Sequence, residues 1–315
     1  MILTVTLNAS IDKFYLVDAL RPYEVARVRE VNNTAGGKGM NVSRVAALAG
    51  EPVTAMGFVG GHNGALFESL IVEPGITKRF THTAAETRCC INVRYEAAGR
   101  STEFLEPGAP VSPGEVEAFL RDFSRQLPAA DVVVLSGSMP QGLPVDFYAV
   151  LVRLARQAGK PVLLDTSGPA LRAALEARPT LIKPNGDEVR QLLGDAARTR
   201  EELAAAARRL RDGGVGTVAV SLGRDGVLVA DEEGVYQGLT PDLPVVNTVG
   251  CGDSMVAGFA VGLARGWPLP QRIRYAVAVS TANALTQATG SFRPADLEAL
   301  LPQVRVERLP GGRQP

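Results

Sequence analysis

The sequence predicts an α/β fold in which a mostly parallel sheet is covered by helices on both faces, and three observations carry that prediction. Short β-branched apolar runs recur along the chain, helical patterns alternate with them, and two stretches of different character interrupt the rhythm. The first apolar run, residues 2–7, reads as a buried strand. DVVVLSG at 131–137, PVLLD at 161–165, TLIK at 180–183 and GTVAVSLG at 216–223 repeat the type. Between and around them lie the helical patterns KGMNVSRVAALAG from Lys38, PVDFYAVLVRLARQAG from Pro144 and REELAAAARRLRDGG from Arg200; the last two end on glycine, as a helix C-terminus often does. The interruptions, residues 11–33 and 87–105, include the alternating INVRYEAAGRSTEFLE. They read as strands of a small second sheet with a turn at Ala98-Gly99. With no solenoid period and no low-complexity linker, residues 1–315 are expected to form one domain with a discontinuous lid at about 11–33 and 87–105. The tail LPGGRQP reads as a loose end.

Composition narrows the function classes. The 315 residues, 46% hydrophobic and 21% charged, suffice for a full core, and 33 basic against 33 acidic side chains leave no net field to draw the chain to nucleic acid or to an anionic membrane. An anionic ligand must then be held by a local site. Cys89, Cys90 and Cys251 are odd in number and lack C-x-x-C spacing, which fits a reducing cytoplasm. MILTVTLNAS lacks the basic leader of a signal peptide, and no run approaches the roughly 20 apolar residues of a spanning helix. His62 and His82 are the only histidines, too few for a histidine-based zinc site or catalytic base.

The segment NTVGCGDSMVAGF, residues 247–259, is the strongest chemical signal. Gly250 and Gly252 bring unobstructed backbone N–H groups to one point, and a helix starting near Asp253 adds its positive end, so the segment suits a phosphate or a developing oxyanion. Asp253 has two readings: a helix cap or dipole partner, or a base that takes the proton of an attacking hydroxyl.

Together with this segment, LTVTLNASIDK, NTAGGKGMNVSRVAALAG, SGSMPQGLP, KPNGDEV and VSLGRDGVLV occur in one order over nearly the whole chain. In that set the chain resembles the ribokinase-like carbohydrate kinases, the phosphofructokinase B family, and within it the hexose-phosphate branch that contains tagatose-6-phosphate kinase and 1-phosphofructokinase. The resemblance implies a ribokinase-like three-layer α/β/α sandwich with a small β-sheet lid, an anion hole at Gly250, Cys251 and Gly252, and Asp253 as catalytic base. Cys251 stands where many members have Ala. It reads either as a small filler or as a thiol whose pKa the helix N-terminus lowers.

AGGKGMN, residues 35–41, is neither a Walker A loop nor a dinucleotide fingerprint: no Ser or Thr follows Lys38, Val42 stands where the third glycine belongs, and no clear strand precedes it. By resemblance Gly36, Gly37 and Asn41 line the sugar site, Lys38 adds a positive charge, and Asp12 accepts hydrogen bonds from sugar hydroxyls with Asn8 as a companion. Arg88, on its own a solvated strand-edge charge, matches the arginine that takes the substrate's phosphate, for which its planar fork is suited. Ser138 adds a hydroxyl there, and Arg27 is a further contact that reaches a neighbouring subunit. Arg88 and Lys38 favour an already phosphorylated substrate over ribose or a nucleoside.

At the other end, Asn185 and Glu188 read as a helix cap. By the family's N-x-x-E motif they instead organise Mg²⁺ through water and the nucleotide phosphates. Lys183, Ser221 and Gly223 are nucleotide residues by the same resemblance, Gly226 serves a hairpin turn, and Asn283 is either adenine-proximal or part of helix packing. A monovalent cation occurs beside the anion hole in some relatives and stays open as a cofactor here, since LTQATGSF matches that site only weakly. The expected function is ATP-dependent, Mg²⁺-assisted phosphorylation of a ketohexose monophosphate: tagatose 6-phosphate at O1 first, fructose 1-phosphate at O6 as the alternative. A non-catalytic sugar-phosphate-binding regulator is the rival of another class, and the intact Gly250, Gly252 and Asp253 stand against it. A homodimer through the lid is the expected assembly.

Overall fold

The computed structural model describes residues 1–19, 21, 23–96, 100–194 and 197–309, so the turn expected at Ala98-Gly99 and the tail beyond Leu309 lie outside the described residues. Fourteen strands are described: β1 (Ile2–Thr6), β2 (Ser10–Val17), β3 (Glu30–Gly36), β4 (Val53–Gly60), β5 (Ile76–Thr83), β6 (Arg88–Tyr95), β7 (Arg100–Leu105), β8 (Val132–Ser136), β9 (Val162–Asp165), β10 (Leu181–Ile182), β11 (Thr217–Ser221), β12 (Val227–Ala230), β13 (Val235–Leu239) and β14 (Arg305–Arg308). The α-helices are α1 (Lys38–Leu48), α2 (Gly61–Leu70), α3 (Pro113–Gln126), α4 (Phe147–Gln157), α5 (Gly168–Leu175), α6 (Gly186–Leu193), α7 (Arg200–Asp212), α8 (Cys251–Ala264), α9 (Leu269–Ala284) and α10 (Pro294–Leu300).

Ten strands form the main sheet in the order β14-β13-β12-β11-β10-β9-β8-β1-β4-β5. From β5 across to β11 every pair is parallel; β12, β13 and β14 extend the sheet as antiparallel strands. Successive side chains on a strand face opposite ways, and both faces are covered. Leu3, Val5, Val133, Leu135, Leu164, Val218 and Val220 enter one core with Phe119, Phe123, Tyr148 and Leu203 of α3, α4 and α7. Ile2, Val132, Val134, Leu163 and Ala219 enter the other with Val45, Phe259 and Val277 of α1, α8 and α9. This is the expected three-layer α/β/α arrangement, and burial on both faces is why the strands read as continuous apolar runs.

The small sheet has the order β3-β2-β6-β7, with β2 and β6 parallel and the outer pairs antiparallel. Its first segment starts at Ser10 and reaches Gly36, beyond the bounds 11–33 read from sequence. A strand therefore does precede AGGKGMN, contrary to expectation. β3 is mostly exposed and polar, so it carries no apolar signal, and it pairs antiparallel with β2 and takes no part in a parallel βαβ unit. A third core of Ala9, Ile11, Ala35, Met40, Phe67 and Phe80 roots this sheet on α1, α2 and β5.

Candidate active site

The C-terminal ends of the parallel strands bring Asn8, Ser136, Asp165, Lys183 and Ser221 to one edge of the main sheet, where open α/β sheets bind ligands. Two helix N-termini, those of α1 and α8, face it.

α8 begins at Cys251, two residues earlier than the sequence suggested, with Gly250 as its N-cap. Gly250 has φ 80, and a Cβ there would stand 2.8 Å from Thr289 Cγ2 and 2.9 Å from the Gly290 nitrogen, so both the conformation and the space select glycine. A glycine N-cap has no side chain for a capping box. The Asp253 carboxylate, 7% exposed, instead accepts a hydrogen bond from Asn41 Nδ2 at 2.8 Å. Burial, reinforced by the nearby Asp165 charge, raises the Asp253 pKa to about 6, while Asn41, Lys38 and Lys183 hold it down. Such a group is ionised at neutral pH yet a far better proton acceptor than an exposed aspartate.

Asp165, at the end of β9, was not singled out from sequence. It is 1% exposed, with Lys38 Nζ 3.5 Å from Oδ2 and Lys183 Nζ 3.5 Å from Oδ1. One buried carboxylate thus holds both ammonium groups of the site. Lys183 is itself buried, and its Nζ lies 3.3 Å from where a Cβ on Gly252 would be, which sets a positive charge against the α8 N-terminus. Burial works to lower the Lys38 pKa, but Asp165, Asp253 and Glu188 outweigh it and leave the group firmly charged.

The Cys251 thiol does not follow the reactive reading. Burial pushes its pKa up; Sγ accepts from Asn283 Nδ2 at 3.4 Å and the backbone carbonyl accepts from Ser280 Oγ at 2.9 Å, so the residue packs as a small filler.

At the sugar end, Asp12 is half-buried, accepts from Ser10 Oγ at 2.6 Å, and is raised in pKa by burial. It lies on β2 opposite β3, so close to Gly36 that a Cβ there would overlap its carboxylate. Gly37 is the N-cap of α1 and precedes Lys38 directly. Asn41, expected to line the sugar site, has its amide spanned between Asp253 on Nδ2 and Arg44 Nη1 on Oδ1 at 3.2 Å. Arg88 is no solvated edge charge. Its guanidinium donates to the Asn8 carbonyl at 3.3 and 3.1 Å and to the Glu106 carbonyl at 2.8 Å, while Asn8 Nδ2 donates to Ser138 Oγ at 3.1 Å. Arg88 and Ser138 thus share Asn8 as a hydrogen-bond partner, one through its carbonyl and the other through its side-chain amide. Arg27 lies exposed on the segment before β3.

At the nucleotide end, Asn185 caps α6. Its Oδ1 accepts from the Glu188 nitrogen at 2.9 Å, and its own nitrogen donates to Glu188 Oε2 at 2.8 Å. The cap reading is therefore realised, with Glu188 Oε1 outside it. Ser221 bridges Asn185 as a parallel neighbour, and Gly223 opens the short turn that leads to Gly226 and β12. A cavity of about 310 Å³ opens beside Asn185, Ser221 and Leu222. Asn283 takes the packing position of its two readings: it is fully buried, with Nδ2 on the Val249 carbonyl at 3.0 Å and Oδ1 accepting from the Ser291 nitrogen at 3.1 Å, so it braces the glycine segment from within the α8–α9 packing.

Residues 5–296 match the model of the pfkB family carbohydrate kinases. Phosphofructokinase-2 from Escherichia coli, solved in complex with potassium, is 30% identical and superposes with a TM-score of 0.89 over 96% of this chain and 98% of its own. A Thermotoga maritima protein described as a possible 1-phosphofructokinase is 26% identical, with a TM-score of 0.83 over 98% of this chain and 100% of its own. Ribokinase from Arabidopsis thaliana, solved with ribose and ATP, shares the fold at 21% identity and a TM-score of 0.75 over 95% of this chain and 98% of its own. The match over most of its length, on a ribokinase-like fold, makes this chain a member of the pfkB carbohydrate kinase family and an ATP-dependent sugar kinase.

Proposed function

We propose that the enzyme transfers the γ-phosphoryl group of ATP to the free primary hydroxyl of a ketohexose monophosphate, with Asp253 as the base. The observation that carries this reading is the burial of Asp253, with its pKa raised to about 6, in the first turn of a helix that opens on Gly250 and Gly252 with Lys183 beside it. Asp253 takes the hydroxyl proton as that oxygen attacks phosphorus in line. The N–H groups of Gly250, Cys251 and Gly252 and the Lys183 ammonium meet the charge on the transferred group. Asp12 accepts from sugar hydroxyls beside the close turn of Gly36 and Gly37, Lys38 adds charge, and Arg88 with Ser138 takes the existing phosphate. That last role requires Arg88 to exchange backbone carbonyls for an anion, which a guanidinium prefers.

Oxygen donors at the α6 N-terminus fit a divalent cation carried by the nucleotide and keeping its waters. Asn185 and the second oxygen of Glu188 are the groups for those waters, and Mg²⁺ bound there would neutralise phosphate charge. Ser221 and Gly223 line the same phosphate path. The small sheet acts as a lid, closing over the sugar to exclude water. Exposed Val31, Phe104 and Leu105 on that sheet support a homodimer through it. Free Cys89, Cys90 and Cys251 support a cytoplasmic setting.

A 6-phosphate substrate with transfer to O1 is favoured, tagatose 6-phosphate first; phosphofructokinase-2 from E. coli, 28% identical in this form, is solved with fructose 6-phosphate. Transfer to O6 of fructose 1-phosphate is the second reading, favoured by the likeness to the Thermotoga protein. The test is ATP consumption with Mg²⁺ against tagatose 6-phosphate, fructose 6-phosphate, fructose 1-phosphate and unphosphorylated ketohexoses. Preference for a 6-phosphate supports O1 transfer, preference for fructose 1-phosphate moves the assignment to O6, and no turnover with any of them overturns the proposal in favour of a binding-only protein.

A further inference from the structure

Arg44 has no place in the mechanism above, yet it is almost fully enclosed. It lies one turn after Asn41 on α1, 9% exposed, and its guanidinium reaches four separate parts of the chain. Nε donates to Glu73 Oε1 at 2.6 Å, Nη2 to the Ala35 carbonyl at 2.9 Å, and Nη1 to Asn41 Oδ1 at 3.2 Å and to the Thr289 carbonyl at 3.4 Å. A buried guanidinium is costly unless its donors are filled, and a hydrophobic side chain at this position of the helix would avoid that cost. The geometry shows what the charge does there.

A primary amide has two nearly isosteric ends, and only its hydrogen-bond partners decide which way it faces. With Arg44 donating to Oδ1, Asn41 must present Nδ2 to Asp253, and that contact is 2.8 Å. An amide turned the other way would set its oxygen against the carboxylate. The segment that Arg44 holds by the Thr289 carbonyl is also wedged against Asn41 and against Gly250, the N-cap of α8. A Cβ on Gly290 would lie 2.8 Å from Asn41 Cβ, and one on Gly250 would lie 2.8 Å from Thr289 Cγ2. Glu73, on the connection from α2 to β5, anchors the far side of the guanidinium.

We propose that Arg44, tethered by Glu73, is a positioning residue that orients the Asn41 amide and, through it, aims the Asp253 carboxylate at the attacking hydroxyl. This rests on the reading of Asp253 as the base. Arg44 touches no reacting atom, so its effect must pass through Asn41, and a double-mutant cycle tests that.

Arg44→Met, Asn41→Ala and the double variant are assayed at saturating ATP and Mg²⁺ with whichever of tagatose 6-phosphate, fructose 6-phosphate or fructose 1-phosphate turns over. Misaiming a base costs on the order of 10- to 100-fold. Arg44→Met is expected to lose that much in kcat while the KM for ATP changes little, and the double variant to be no slower than Asn41→Ala alone. Arg44→Lys, which keeps a donor, should recover part of the loss, and it replaces Arg44→Met in the cycle should the latter fail to fold. Multiplicative losses in the double variant, or wild-type kcat in Arg44→Met, overturn the proposal. Asp253→Asn is run alongside: if it is inactive and the losses multiply, the Arg44 proposal alone fails, whereas an active Asp253→Asn overturns the base assignment itself.

Discussion

Asp253 and Glu188 occupy the same local position, the third residue of a helix, and they come to opposite uses. Asn185 supplies an N-cap side chain, so Glu188 closes a reciprocal capping box and stays half-exposed. Gly250 supplies none, so Asp253 is left to tertiary surroundings: Asn41 from α1 and two lysines, against the like charge of Asp165. One carboxylate is spent on its own helix, and the other is held in a poorly solvated pocket with its basicity raised. A residue's place in a helix thus says little about its chemistry until the cap and the burial are known.

The sharpest way to break this comparison is turnover. Asp253→Asn should lower kcat by about 10²- to 10⁴-fold with ATP binding retained, the range expected for loss of a general base. Glu188→Gln, which can still close the capping box, should act on the KM for ATP and Mg²⁺ instead. Equal losses of kcat in steady-state assays of the two variants would erase the distinction.

Next in size is the pH profile. With its pKa raised to about 6, Asp253 loses its base form below that value, so kcat/KM should fall roughly tenfold per pH unit below about 6. A flat profile between pH 5 and 8 would contradict it.

Stability sharpens the comparison further. The folded-state pKa of Asp253 lies above its ordinary value of 3.8, so the native state gains protons relative to the unfolded chain, and stability present below about pH 4 is lost as pH rises through about 6. Asp253→Asn should therefore stabilise the ligand-free protein at pH 8, by about 3 kcal/mol, and do little at pH 4. Denaturant titration at the two pH values measures this; equal effects at both would remove the buried-charge argument. Asn185→Ala should show the smallest effect, a loss of about 1 kcal/mol from the uncapped α6 with no such pH dependence.

What the sequence made legible follows the range of the interactions concerned. Strands β1, β8, β9 and β11 were read because burial on both faces writes a continuous apolar run, whereas exposed β3 wrote none. β4 carries no such signal although it is fully buried, since Gly57 and Gly60 break its apolar run. Asp253, Lys38, Lys183 and Arg88 were found on motifs of a few residues. Asp165 and Arg44 were not, because their meaning lies in partners 127, 18, 29 and 245 positions away: Lys38, Lys183, Glu73 and Thr289. Nothing near Asp165 distinguishes it from a polar strand terminator. For the same reason the two readings of Asn283 stay undecided on sequence, and only its partners, the Val249 carbonyl and the Ser291 nitrogen, show it as a brace.

The antiparallel end of the main sheet has a practical consequence. Among the described residues β14 pairs only with β13 and forms the margin of the sheet, and three of its four side chains, Arg305, Glu307 and Arg308, are exposed and charged. Behind it, β13 is almost wholly buried. A version of the chain cut before Arg305 would leave that apolar strand with open hydrogen-bonding groups, inviting self-association. Affinity tags and fusion partners should therefore be joined after this charged border, whose loss would first show as a solubility defect even though the catalytic cleft is built from other elements.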